Sequence, residues 1–180
     1  RHQSILFWDG KNNIKGKKIL IWSEQGLGDC IQFCRYVDKI IKMEAKITFE
    51  VQKNLKSLME LISNKINVIT RKDFNDGYDF QVPLTSLASI FDTNLQNLPN
   101  KSPYLTIPKE LISKWSKKLG FKNKPRIGLA WTGDKNYKHD EYRSLKLKEI
   151  LPIISKNFDF FCIQKDIRVE DKVDFNNSSI

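Results

Sequence analysis

The sequence predicts an α/β fold: a Rossmann-like parallel sheet with flanking helices, followed by the start of a second Rossmann-like unit. Three observations predict it. Apolar runs rich in β-branched residues, such as Lys18-Ile-Leu-Ile-Trp22, alternate with stretches whose apolar residues recur at three- and four-residue steps. Glycines punctuate the change of period, Gly26 and Gly28 after the first run and Gly133 after a later one. The order strand, helix, strand, helix, strand then implies parallel pairing with right-handed crossovers.

Each element has its own signal. Residues 1–17 read as a lead-in whose Phe7 and Trp8 cover a sheet edge. The first strand, Lys18 to Trp22, runs through a glycine turn into a helix beginning at about Asp29 or Cys30. Cys30, Phe33, Cys34, Val37, Ile40 and Ile41 form its apolar face. Lys46 to Val51 alternates with period two as a strand, Lys53 to Ser63 is a helix with Leu55, Leu58, Met59 and Ile62 inward, and Ile66 to Thr70 is the third strand. Asp79 to Val82 is a short fourth strand ended by Pro83, and Leu84 to Phe91 has helical spacing. Asn, Pro and Ser mark an irregular connection from Asp92 to Pro108. Lys109 to Leu119 is an amphipathic helix, with Leu111, Ile112, Trp115 and Leu119 on one side, stopped by Gly120. The charged, proline-terminated Lys122-Asn-Lys-Pro125 reads as a link, so residues 1–121 form the first domain and 122–180 the beginning of a second. There Arg126 to Trp131 is a strand, 134–142 a polar loop, Leu145 to Ser155 a helix and Phe158 to Ile163 a strand.

Composition narrows the function classes. With 180 residues, 40% of them hydrophobic, the chain can bury a real core. No apolar run is long enough to cross a bilayer, no signal peptide is evident, and the absent initial methionine points to an excerpt. The 31 Lys and Arg against 21 Asp and Glu give a net charge of +10, which attracts nucleic acid, anionic membrane or phosphorylated small molecules. The cations are scattered lysines rather than arginines clustered with aromatics, which argues for a solvated surface and against nucleic acid. Three cysteines with no disulfide pattern fit a reducing compartment, and two histidines argue against zinc. The expected location is cytoplasmic, with the inner face of the membrane as a second possibility.

Two constellations carry chemistry. Asp29 follows the Gly-x-Gly turn at the carboxyl end of the first strand, where ligands of open α/β sheets bind, and its carboxylate can serve as a general base. Asp is equally a preferred helix N-cap, and the residues alone favour that reading. The turn lacks the third glycine of a dinucleotide fingerprint, so no nicotinamide or flavin cofactor is expected. The hydroxyls of Thr85 and Ser86 face the same crevice or serve as turn bonding. In the second unit, Thr132, Gly133, Arg143 and Ser144 lie between a strand and a helix. Their hydroxyls, the guanidinium and the amides at that helix start can together hold a phosphate, against the alternative of an ordinary surface loop.

Trp8-Asp-Gly10, Glu24-Gln-Gly-Leu-Gly-Asp29 and Ile31-Gln-Phe-Cys-Arg-Tyr36 resemble the glycosyltransferase-like domain that follows tetratricopeptide repeats in many bacterial proteins. That domain is similar to the heptosyltransferases, glycosyltransferase family 9. Further matches are Glu50-Val-Gln52, Pro83 to Leu87, Pro103-Tyr-Leu105, Gly128 to Gly133, Arg143-Ser144 and Gln164-Lys165. The resemblance implies the GT-B architecture, two Rossmann-like halves with a nucleotide-sugar donor between them. It implies Asp29 as the base, Glu24, Gln25, Gly26, Gly28 and Ser86 around the acceptor, and the Arg143-Ser144 pair at the donor phosphate. The substrate would be a nucleotide-sugar with no separate cofactor or metal, the acceptor a glycan, lipid-linked or protein hydroxyl, and upstream tetratricopeptide repeats a partner in the parent chain. Glu141 stands where relatives often carry arginine, and Tyr137 where a histidine is common. The family's later donor segment falls beyond Ile180, so the fragment is expected to be inactive alone. The alternative is a non-catalytic GT-B-like scaffold for protein interaction.

Overall fold

The computed structural model describes residues 2–24 and 26–180. The chain divides into two compact units, residues 1–112 and 113–180.

In the first unit, β1 (Lys18–Trp22), β2 (Lys46–Val51), β3 (Ile66–Thr70) and β4 (Phe80–Pro83) form one parallel sheet in the order β3-β2-β1-β4. β1 is central because both of its edges are used, Ile19 pairing with Ile47 on one side and Phe80 on the other. Ile19, Leu20 and Ile21 are fully buried, each contributing about 1.5–3 kcal/mol through removal of apolar surface from water. The lead-in extends the sheet. Trp8 N–H donates to the Gln81 carbonyl and Gln81 N–H to that of Leu6, so Phe7 and Trp8 do line the free edge of β4, with Trp8 buried.

The helices depart from expectation in length. α1 (Leu27–Phe33) starts two residues before Asp29 and is joined by a 3-10 turn over Cys34–Tyr36 to α2 (Val37–Lys42). Its apolar side packs on the sheet as the spacing predicts, with Cys30, Cys34, Val37 and Ile40 buried; Tyr36 joins them. The helix expected over Lys53 to Ser63 is a 3-10 turn and one α-turn, α3 (Lys56–Met59), which still buries Leu55 and Met59. β2 is not half-buried, since Thr48 and Glu50 are buried with Ile47, Phe49 and Val51. α4 (Ser86–Ile90) follows β4.

α5 (Lys109–Leu119) has the predicted bounds, ending at Gly120 with φ of +67°, the left-handed conformation that stops helices. It buries none of its residues; Leu111, Ile112 and Trp115 are exposed. In the second unit β5 (Arg126–Leu129) and β6 (Asp159–Cys162) pair in parallel. α6 (Leu147–Ile150) and α7 (Lys172–Asn177) flank a smaller core of Leu129, Trp131, Leu147 and Phe160. Among the described residues no helix is long and apolar enough to cross a membrane.

Candidate functional site

The chain leaves β1 toward β2 and β3, then returns to β1's other side as β4, so the β1 and β4 loops part at their carboxyl ends. This is the switch point at which α/β sheets bind ligands. A pocket of about 180 Å³ opens there, lined by Ser23, Glu24, Gly26, Asp29, Cys30, Leu84 and Thr85. Asp29 is the third residue of α1 and not its N-cap; Gly26 occupies the cap with no side-chain hydrogen bond. The N-cap reading is thereby corrected, because Leu27 and Gly28 already belong to the helix. Neither Gly26 nor Gly28 takes a positive φ. What Gly26 does provide is room: a Cβ there would lie 2.8 Å from Asp29 Oδ2. The Asp29 carboxylate is exposed, and among the described residues no hydrogen-bond donor or cation is paired with it.

Glu24 crosses the pocket to Thr85, whose N–H donates to Oε2 at 3.2 Å and whose hydroxyl makes a short hydrogen bond to the same oxygen. Thr85 lines the pocket whereas Ser86, half-buried in α4, does not. Gly28 lies in the first turn of α1, and Gln25 lies outside the described residues. Ser23 and Glu24 also form one wall of a second pocket of about 480 Å³ at the ends of β2 and β3. Its other walls include Gln52, Lys53, Thr70, Arg71 and Lys72. The three cations come from short turns after two different strands, and no local motif announced them.

The second constellation is assembled in the second unit, but not as a helix-terminus phosphate site. Lys146 N–H is bonded to Glu149 and Leu147 N–H to the buried Asp171, so the amides at the start of α6 are already taken. Those expected phosphate donors are corrected to structural caps. The turn after β5 is likewise occupied: Gln164 Oε1 accepts from Trp131 and Thr132 N–H at 3.0 and 3.1 Å, and Gly133 N–H donates to Ser144 Oγ at 3.0 Å. Ser144 Oγ in turn donates to Asp140 Oδ1 at 2.7 Å. Arg143 and the Thr132 hydroxyl remain. The Arg143 guanidinium is about half exposed, packed 4.3 Å above the Tyr137 ring and directly on Gly133, where a Cβ would come within 2.7 Å. Thr132 Oγ1 is buried with no hydrogen-bond partner. Asp140 is held below the usual carboxylate range, first by the Ser144 hydrogen bond and then by Arg168.

No family model matches the chain, and no curated protein matches it. Among solved structures it is similar to the crystal structure of TibC, a bacterial iron-containing dodecameric glycosyltransferase from enterotoxigenic E. coli H10407. The TM-score is 0.55 at 14% identity, over 86% of this chain and 44% of that one. The chain thus has a glycosyltransferase-like, Rossmann-type α/β fold and spans less than half the length of that neighbour. Among the described residues no three His, Cys, Asp or Glu side chains come together to hold a metal.

Proposed function

We propose that this chain is part of a glycosyltransferase that moves a sugar from a nucleotide donor to an acceptor hydroxyl, as the family 9 motifs imply. One observation carries the reading: an exposed Asp29 carboxylate, with no partner among the described residues, stands in a pocket at the switch point of a glycosyltransferase-like sheet. The acceptor oxygen attacks the anomeric carbon while Asp29 takes its proton, and the bond to the nucleoside diphosphate breaks with its electron pair leaving on the phosphate oxygen. Arg143 binds that diphosphate, where a fixed cation stabilises growing negative charge. The Glu24–Thr85 bridge shapes the acceptor side, and Lys53, Arg71 and Lys72 suit an acceptor bearing an anionic group.

The polar groups of the 132–144 loop that bond one another favour a second reading, a GT-B-like scaffold without turnover. Calorimetric titration of UDP, GDP and ADP separates the two. The transferase reading expects saturable binding of one nucleotide, weakened at least about tenfold in Arg143→Ala, the order of a lost charge-assisted phosphate contact. A folded protein that binds none of them supports the scaffold.

A further inference from the structure

We propose that Arg168 is a positioning residue for the anion site of the second unit: by occupying Asp140 it leaves the Arg143 guanidinium free to meet a phosphate. The inference rests on the donor-phosphate reading and adds to it a residue outside the loop.

Asp140 is 7% exposed and sits at the centre of the loop. A buried carboxylate three residues before an arginine would ordinarily capture it in a two-pronged pair, because the planar fork of a guanidinium matches both oxygens. Here both oxygens are engaged elsewhere. Oδ1 accepts from the Ser144 hydroxyl at 2.7 Å, and Oδ2 is held by Arg168 Nη2 in a short contact. Arg143 is left with one loose approach, Nε to Oδ1 at 3.5 Å, and its guanidinium stays on the Tyr137 ring with side-chain exposure of 47%. Arg168 itself is 23% exposed and spends further donor capacity inward, on the Gly133 carbonyl and Ser144 Oγ, both at 3.3 Å. Its charge therefore offsets Asp140, and the charge of Arg143 remains uncancelled at the surface.

Removing Arg168 vacates Oδ2, and the nearest cation able to fill it is Arg143. The same substitution made where residue 140 carries no charge has no such consequence. This non-additivity separates electrostatic positioning from simple support of the fold, in which both changes together would only weaken binding further.

The test titrates inorganic pyrophosphate calorimetrically into the protein and its Arg168→Met, Asp140→Asn and doubly substituted variants. The Arg143 Nε–H resonance is followed by NMR in each. Arg168→Met is expected to weaken pyrophosphate about tenfold and to slow exchange of the Arg143 Nε–H with water as Asp140 captures it. The double variant is expected to bind within about twofold of Asp140→Asn alone. Arg168→Lys, which keeps the charge if the methionine variant fails to fold, is expected to stay within about threefold of the parent. A double variant weaker than either single one, or a lysine variant as impaired as the methionine one, would overturn the proposal. If pyrophosphate does not bind the parent protein, the donor-phosphate reading fails. The Arg143 resonance then still decides the role of Arg168, since an unchanged exchange rate in a folded Arg168→Met, or one slowed in Arg168→Lys, contradicts it.

Discussion

Asp140 shows how one buried carboxylate can order a loop and set its acid sensitivity. Hydrogen bonds from Ser144 and Arg168 favour its charged form, so its pKa in the folded chain lies below that of the unfolded chain. The sign follows from linkage: this group's contribution to stability is complete above the unfolded value of about 3.9 and is lost as pH falls through the lower folded value. Denaturant unfolding of the parent protein between pH 5 and pH 2 should therefore show a drop that is shallower in Asp140→Asn; parallel curves would contradict the assignment. At this scale legibility was uneven. Asp29 and Thr132 stood out because they sit beside glycine turns at strand ends, and Arg143 and Ser144 because they lie between a strand and a helix as the pair the family resemblance marks. Arg168 and Asp171 did not, because they act on groups 28 and 40 residues away and have no local signature. The N-cap role favoured for Asp29 failed for a physical reason. Gly26 and Gly28 read as turn residues by propensity, yet the helix starts between them, and its apolar face begins only later with Cys30.

Elements were legible where the local pattern set their bounds. The first strand and α5 lie where apolar run and helical period put them, whereas the helix expected over Lys53 to Ser63 contracts to two short turns. Its spacing records which side chains must point inward, and Leu55 and Met59 do so without a regular helix. The α1 and α2 face makes a chemical prediction. Burial pushes the Cys30 thiol up to about 11 and that of Cys34 to about 12, so neither supplies thiolate near neutrality. Iodoacetamide at pH 8 should therefore label Cys162 while sparing Cys30 and Cys34 until denaturant is added, as read by mass spectrometry. Native labelling of either helical cysteine would mean that this face is not packed on the sheet.

At the scale of the molecule, the alternation of strand and helix was enough to give the parallel sheet, because parallel neighbours need a crossover between them. Strand order was not readable, and with it the fact that β4 returns beside β1 to place Thr85 against Glu24. Each unit has a hydrophobic core of its own. In the second, Asp171 is 2% exposed and accepts from Trp131 Nε1 and Leu147 N–H, both at 2.9 Å. Asp171→Ala strands two buried donors, a cost of about 2–4 kcal/mol, which should unfold residues 113–180 earlier while amide exchange in β1 and β2 stays unchanged. Equal loss of protection in both units would contradict that expectation.

In the proposed reading Asp29 is the base of a sugar transfer. The most direct measurement is release of nucleoside diphosphate from the donor that binds, in the presence of acceptor sugars, by the full-length protein and its Asp29→Asn variant. Turnover is expected to fall at least about 100-fold with donor affinity unchanged, since a positioned base contributes about 10²–10⁴-fold. Turnover by Asp29→Asn at the parent rate would contradict it.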